Sequence, residues 1–398
     1  MGKFLTEDQA LEMIRAWDGF GELEKKSKVK NVSVKPLSID DQGFLSIVYD
    51  VVVNFEDSSK FVVIIKTPSL NRFNEELKAD VTDKDKDGIM FQCHNHECEV
   101  YTLLSSIDAP MAKLYACKTI SSADKNGYLV MESFIGKANI MGISYHTNAG
   151  QCLNLARKLG KLRAEAEKLD LDKLKHLNAG FIQENDFVAG LIKPNIQFML
   201  EYDYNTFKPL VDRLEKYGNS KFYEYCLMTK AHDLGVASFF HSDLHGGNLM
   251  FKLNPDGSVS NELAALIDFQ SAIYGNALCD LSRFTGVTVD VDVRRSIEDD
   301  LIDAYYSTYL QYSKNPNPNF TKAVCRELYD LGVILQAVDW QMIFGIFASK
   351  PTGKNDFHNE ALKARMALKA RLCMEDGIRL IEKYAFDKLQ NKLGNLTL

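Results

Sequence analysis

The sequence predicts an α+β protein of two lobes, a small β-rich N-terminal lobe with one main helix and a larger, mostly helical C-terminal lobe. Three observations predict it. Runs dense in β-branched and aromatic residues cluster in the first third of the chain. Apolar stripes at helical spacing fill most of the rest. The change of texture falls in one place, around residues 132–137. With 398 residues, two folding units can each bury a core. The expected division is 1–134 and 135–398.

The strands come first. Residues 31–39 alternate apolar and polar, and residues 44–55 are rich in Val, Ile and Tyr. Residues 60–66 contain Phe61-Val62-Val63-Ile64-Ile65, and Asp57-Ser58-Ser59 supplies the hairpin turn before it. A polar stretch over 71–88 reads as a solvated loop, and 90–107 as a helix. Residues 112–120 and 128–134 read as strands joined by Asp124-Lys125-Asn126-Gly127. Helices follow. Leu153, Ala156, Leu159 and Leu162 make an apolar stripe along 148–169. Further helical patterns cover 221–236, 294–312, 321–347 and 359–392. Lys363, Arg365, Lys369 and Arg371 in the last of these read as a solvated face.

Composition excludes several classes. The hydrophobic share is 46%, too high for a chain disordered throughout. Lys plus Arg is 47 and Asp plus Glu is 54, a net charge of −7, which argues against a general binder of nucleic acid. The apolar stretch 333–348 is short for a bilayer and is interrupted by Gln336, Asp339 and Gln341, so no stable membrane association is expected. No apolar leader follows Met1-Gly2-Lys3, and the eight cysteines form no CxxC pair. Free thiols and a cytoplasmic location are the expectation.

The chemistry concentrates in residues 239–270. Phe239-Phe240-His241-Ser242-Asp243-Leu244-His245-Gly246-Gly247-Asn248-Leu249 is a polar, glycine-containing segment between apolar flanks, the texture of a pinned loop. Ala264-Ala265-Leu266-Ile267-Asp268-Phe269-Gln270 is an apolar strand ending in a carboxylate. Phosphoryl transfer from ATP needs a carboxylate to orient the attacking hydroxyl, hard oxygen ligands for Mg²⁺, and a lysine held on the phosphates by a glutamate. The kinase catalytic loop H-x-D-L-x-x-x-N is matched by His241, Asp243, Leu244 and Asn248, and Asp268-Phe269 matches the metal-binding pair, with Gln270 in place of Gly. Lys66 ends a strand upstream, and Glu97 lies on the following helix, with Glu99 as its competitor. The order lysine, glutamate, loop, aspartate is the kinase order.

On these residues the chain resembles the choline-kinase-like and aminoglycoside-phosphotransferase-like small-molecule kinases, over roughly residues 30–350. His241-Ser242-Asp243, Leu266-Ile267-Asp268-Phe269-Gln270 and Asn276-Ala277-Leu278-Cys279-Asp280-Leu281 bring it nearest the ecdysteroid-kinase-like (CHK kinase-like) group. The resemblance implies a bilobal protein-kinase-like fold. It implies ATP and magnesium as cofactors and a small-molecule hydroxyl as phosphate acceptor, ecdysteroid-like, choline-like or a glycoside. It further implies Asp243 as catalytic base, His241 as organiser of the loop, and Asn248 and Asp268 as metal ligands. Lys66 and Glu97 would serve the phosphates, Gly43 and Ser46 the turn above them, and Met131, Glu132 and Ser133 the adenine.

Two other functions compete. A non-catalytic nucleotide-binding protein could keep the same fold. A metal-dependent hydrolase could use His241, Asp243 and His245, which a strand would place on one face. Two decoys are read as structural: the EF-hand-like run Asp83-Lys84-Asp85-Lys86-Asp87-Gly88 and the metal-like run Cys93-His94-Asn95-His96-Glu97-Cys98. Asp280 is read as a brace for the loop. Tyr202, Tyr204, Trp340 and Phe344 are read as core, with lining of an acceptor site as the alternative.

Overall fold

The computed structural model describes residues 5–37, 45–70, 83–142, 146–177, 187–348 and 355–386. The chain forms two units: residues 1–139 with 265–271, and residues 140–264 with 272–398.

The first unit is built on an antiparallel sheet. Its strands are β1 (Val29–Pro36), β2 (Ser46–Phe55), β3 (Lys60–Pro68), β4 (Leu114–Lys118) and β5 (Tyr128–Glu132), in the order β1-β2-β3-β5-β4. Strand period two sends Tyr49, Val51, Val53 and Phe55 of β2 to one face, where they pack with Val63, Ile65 and Val130. Two helices, α1 (Glu7–Arg15) and α2 (Asp18–Lys26), contribute Ala10, Ile14 and Phe20 to that core. Neither was expected, although a capping box marks the first. Thr6 Oγ1 accepts from Gln9 N at 3.3 Å, and Thr6 N donates to Gln9 Oε1 at 3.1 Å.

The third helix, α3, runs from Asp83 to Leu104. The sequence reading placed a solvated loop over 83–88, but the backbone there is already helical. The β2–β3 turn is as expected, with Ser58 at φ +69° and Ser59 N donating to Asp57 Oδ1 at 3.0 Å.

The second unit is mostly helical. Helix Ala149–Ala166 packs against helix Val291–Tyr312 so closely that a Cβ on Gly160 would lie 2.3 Å from the Tyr305 carbonyl. Helix Lys322–Ala348 supplies Ile334, Leu335, Val338, Trp340 and Phe344 to the main core. Residues Lys322–Phe347 are long and apolar enough to cross a membrane by length and composition, but 83% of the most apolar window is buried within the protein. The helix is thus accounted for as a core helix. Trp340 and Phe344 are core, as read. Tyr202 and Tyr204 are not, at 41% and 58% exposure.

Helices Phe187–Tyr202 and Tyr204–Leu214 were missed because each carries an internal proline, Pro194 and Pro209, which reads as a breaker. The helix expected over 221–236 widens into a π turn over Tyr225–Thr229. Its carbonyls are diverted there: Leu227 O accepts from Asn276 N and Cys226 O from Asn276 Nδ2, at 2.7 and 3.1 Å. Strands Ser238–Phe240 and Ile273–Gly275 pair antiparallel on either side of the chemistry-bearing segment.

Candidate active site

In the first unit, β3 lies in the middle of the sheet, and Lys66 on it pairs across to Val48 and Leu129. Lys66 Nζ donates to Glu97 Oε2 at 2.7 Å and Oε1 at 2.9 Å, and to Asp268 Oδ1 at 2.6 Å. Glu97, not the exposed Glu99, is therefore the partner. The side chains of Lys66 and Glu97 are 11% and 2% exposed. Burial disfavours the ammonium, but Asp268 and Glu97 outweigh it and hold Lys66 well above the ordinary lysine range. Burial pushes Glu97 up to about 7 against the pull of Lys66, with Asp268 adding to the rise.

Asp268 sits at φ +69°, a left-handed conformation that costs a non-glycine residue roughly 1–3 kcal/mol. Its neighbours pin it there. Leu266 N donates to Pro110 O at 2.7 Å, and Phe269 packs edge-on against Tyr101, ring centroids 5.2 Å apart. Met131, Glu132 and Ser133 continue from the strand next to Lys66. Glu132 N is bonded to Lys113 O at 2.9 Å, and Ser133 is buried. Ser46 opens β2 and is buried, while Gly43 lies outside the described residues.

In the second unit, the segment 241–248 is a loop ending in a 3₁₀ turn, Gly246–Asn248, so the strand required by the hydrolase reading is not formed. Asp280 braces its start: His241 N donates to Asp280 Oδ2 at 2.8 Å and Ser242 N to Oδ1 at 2.9 Å. Burial pushes Asp280 up to about 6, opposed by His241 and by these two N–H donors. Ser242 takes φ +70°, the second left-handed non-glycine residue in the candidate segments. His241 is fully buried, and its Nδ1 accepts from Asp243 N at 3.3 Å; His245 Nδ1 accepts from Gly247 N at 3.0 Å. These ring nitrogens serve the backbone of the loop. Gly246 N donates to Thr288 Oγ1 at 2.8 Å, and Gly246 O accepts from Met141 N at 3.0 Å.

Asp243 is about a third exposed, at 32%. Desolvation would raise its carboxyl. Arg283, then His245 and His241, outweigh that effect and hold it well below the usual carboxylate range. Asn248 is nearly buried, and its Nδ2 donates to Asp243 O at 2.8 Å, which orients the amide.

The metal-like run is structural. His94 Nε2 meets Lys118 O at 2.8 Å, and Asn95 binds Ile120 through both its Oδ1 and Nδ2. Among the described residues, no group of three or more His, Cys, Asp or Glu side chains could hold a metal.

Sequence reasoning missed Arg283, Gln336, Asp339 and Tyr223. Arg283 Nε and Nη2 bind Asp243 Oδ1 at 3.1 and 2.9 Å, while Nη1 reaches Gln336 Oε1 and Asp339 Oδ2, both at 3.1 Å. Tyr223 OH donates to Asp339 Oδ1. Two signals could have found them. Arg283 follows Asp280 by three residues, the spacing that keeps two side chains on one helix face. Asp339 sits in the most apolar helix, where a charge demands a partner.

Three comparisons bear on this chain. A Caenorhabditis elegans protein named "Uncharacterized oxidoreductase dhs-27" is 23% identical over 307 residues, 73% of this chain; the chain spans 36% of that protein's length. Among solved structures, Plasmodium vivax ethanolamine kinase is 14% identical at a TM-score of 0.44, covering 93% of this chain and 91% of its own. The GDP complex of wild-type aminoglycoside 2'-phosphotransferase-IIIa is 16% identical at 0.41, covering 94% of this chain and 99% of its own. The family model described as "Uncharacterized oxidoreductase dhs-27" matches residues 40–385, so the chain belongs to that family, DUF1679.

Proposed function

We propose that the protein is an ATP- and magnesium-dependent phosphotransferase that moves the γ-phosphoryl group of the nucleotide to a hydroxyl of a small molecule. The observation that carries this reading is the buried Lys66–Glu97–Asp268 cluster, assembled from residues 31 and 202 positions apart. A strand lysine held by a helix glutamate is what phosphate gripping requires. Within the second unit, Asp243 lies on a loop whose backbone is tied at His241, Ser242 and Gly246.

The roles follow from chemistry. Lys66 contacts donor phosphates, and Glu97 fixes its ammonium. Asp243 accepts a hydrogen bond from the acceptor hydroxyl and orients its lone pair. Asp268 and Asn248 would hold the magnesium, which neutralises phosphate charge when bound. Positioning and charge neutralisation carry most of the rate, because this reaction asks little covalent chemistry of the protein. The sheet of the first unit is antiparallel throughout, unlike the parallel βαβ sheet on which dinucleotide cofactors of oxidoreductases commonly bind. An ecdysteroid-like, choline-like or glycoside acceptor and a cytoplasmic location complete the reading.

ATP consumption against a panel of hydroxylated small molecules tests it. Wild type should turn over with at least one acceptor. Asp243→Asn should bind ATP and not turn over. Turnover by Asp243→Asn at the wild-type rate would remove the role given to Asp243, and nucleotide binding without turnover in wild type would favour the non-catalytic alternative.

A further inference from the structure

Helix Leu278–Arg283 ends on a residue that touches the side chain of Asp243 rather than its backbone. We propose that Arg283 is a positioning residue for the phosphotransfer proposed above, fixing the Asp243 carboxylate by Oδ1 so that Oδ2 is presented to the acceptor hydroxyl. The inference rests on that reading of Asp243, and its geometry stands on the second unit alone.

Both Nε and Nη2 of Arg283 converge on one oxygen, Oδ1, at 3.1 and 2.9 Å. Two donors on a planar fork locate Oδ1 more narrowly than a single ammonium would and leave Oδ2, 3.8 Å from His245 Nε2, as the oxygen they do not occupy. The far side of the guanidinium is anchored as well. Nη1 is shared by Gln336 Oε1 and Asp339 Oδ2 on helix Lys322–Ala348, and Asp339 in turn takes the Tyr223 hydroxyl. Arg283 is 18% exposed and Asp339 8%, so water competes little for these bonds. The guanidinium is thus held from both sides.

The short helix acts on the loop twice. Asp280 holds the main chain at His241 and Ser242, and Arg283, one turn later, holds the side chain of Asp243. A brace needed for folding alone would be complete with the first pair. The second extends to the carboxylate itself. An ion pair at Oδ1 weakens Asp243 as a base, but in a loose phosphoryl-transfer transition state the proton leaves late and orientation is the larger task.

The test uses Arg283→Met, Arg283→Lys and Arg283→Ala in the full chain, with crystal structures of the variants and acceptor-dependent ATP turnover as readouts. In Arg283→Met the Asp243 carboxylate should leave its single orientation. Its kcat should fall about 100-fold, with KM for ATP within about twofold of wild type. Arg283→Lys should recover part of the loss, and added guanidinium should partly restore Arg283→Ala. An unmoved Asp243 carboxylate in Arg283→Met overturns the proposal. So does a loss confined to folding stability, with Arg283→Lys no better than Arg283→Met. A wild type with no ATP turnover on any acceptor sinks the phosphotransferase reading instead, and the orientation of Asp243 in Arg283→Met then decides the positioning role by itself.

Discussion

Lys66 Nζ lies 2.6 Å from Asp268 Oδ1 and 2.7 Å from Glu97 Oε2, one ammonium serving two carboxylates in a largely buried site. With both carboxylates ionised the cluster would carry one excess negative charge, which a divalent cation would offset; without one, Glu97, pushed up to about 7, relieves it by taking a proton near neutrality. Lys66→Met should leave two carboxylates facing each other without a cation, at a cost of about 3 kcal/mol. Adding Glu97→Gln should return part of that stability, because it removes one of the stranded charges. Urea unfolding of the single and double variants measures both effects. A single variant as stable as wild type would show that the cluster is not under this electrostatic load.

Asp280 accepts from two consecutive backbone N–H groups, and its side chain has almost no exposure. Asp280→Asn turns an amide NH₂ toward one of those donors. The loss of a charged acceptor should cost roughly 2 kcal/mol. Amide hydrogen exchange should speed at His241 and Ser242 before it speeds in the surrounding helices, since both N–H groups lose the carboxylate that accepts them. Equal protection of both amides in the variant would place the tether elsewhere.

Gly246 and Gly247 look equivalent in sequence and are not. A Cβ at Gly246 would fall 2.0 Å from the Met141 carbonyl, a backbone atom, whereas at Gly247 the nearest atom is the His245 ring at 2.7 Å. Gly246→Ala must displace main chain and should lower stability by about 2 kcal/mol or more. Gly247→Ala can be met by a rotation of one side chain and should cost less. Thermal unfolding of the two variants side by side orders them, and a reversed order would contradict the close approach at Gly246.

Much of this was legible in the sequence. Strand alternation in β2 and β3 marked the sheet, and the spacing His241, Asp243, Asn248 marked the loop. What stayed hidden depended on tertiary partners. The prolines of two helices disguised them, because a ring tolerated inside a packed helix reads locally as a stop. Arg283 was invisible because its meaning lies in Asp243 and Asp339, 40 and 56 residues away. The last helix shows the same limit. Lys363, Arg365, Lys369 and Arg371 look like a solvated face, yet the Lys369 side chain is 3% exposed and Arg365 binds Asp290 at 3.0 Å. Asp290 follows the π turn that ends the Arg283 helix, and no local pattern announces that it will draw two cations inward.

That buried lysine makes stability depend on pH in a stated direction. Lys369 Nζ donates to Thr288 O at 2.5 Å and lies 3.2 Å from Asp290 Oδ1; Thr288 in turn holds Gly246. Burial lowers Lys369 to about 8, with Asp290 opposing the shift and Arg365 adding to it. In the unfolded chain the same lysine keeps its proton to about 10.5. Between these values the unfolded state binds more protons, so the lysine's contribution to stability rises with pH and is lost as pH falls through 8. A shift of this size corresponds to roughly 3 kcal/mol across the window. Tyrosines and thiols titrate there too, so the quantity to measure is the stability of wild type minus that of Lys369→Met, by urea unfolding at steps from pH 7.5 to about 10.5. The difference should climb across that range. A flat difference would mean that the ammonium of Lys369 is as well solvated in the folded protein as outside it.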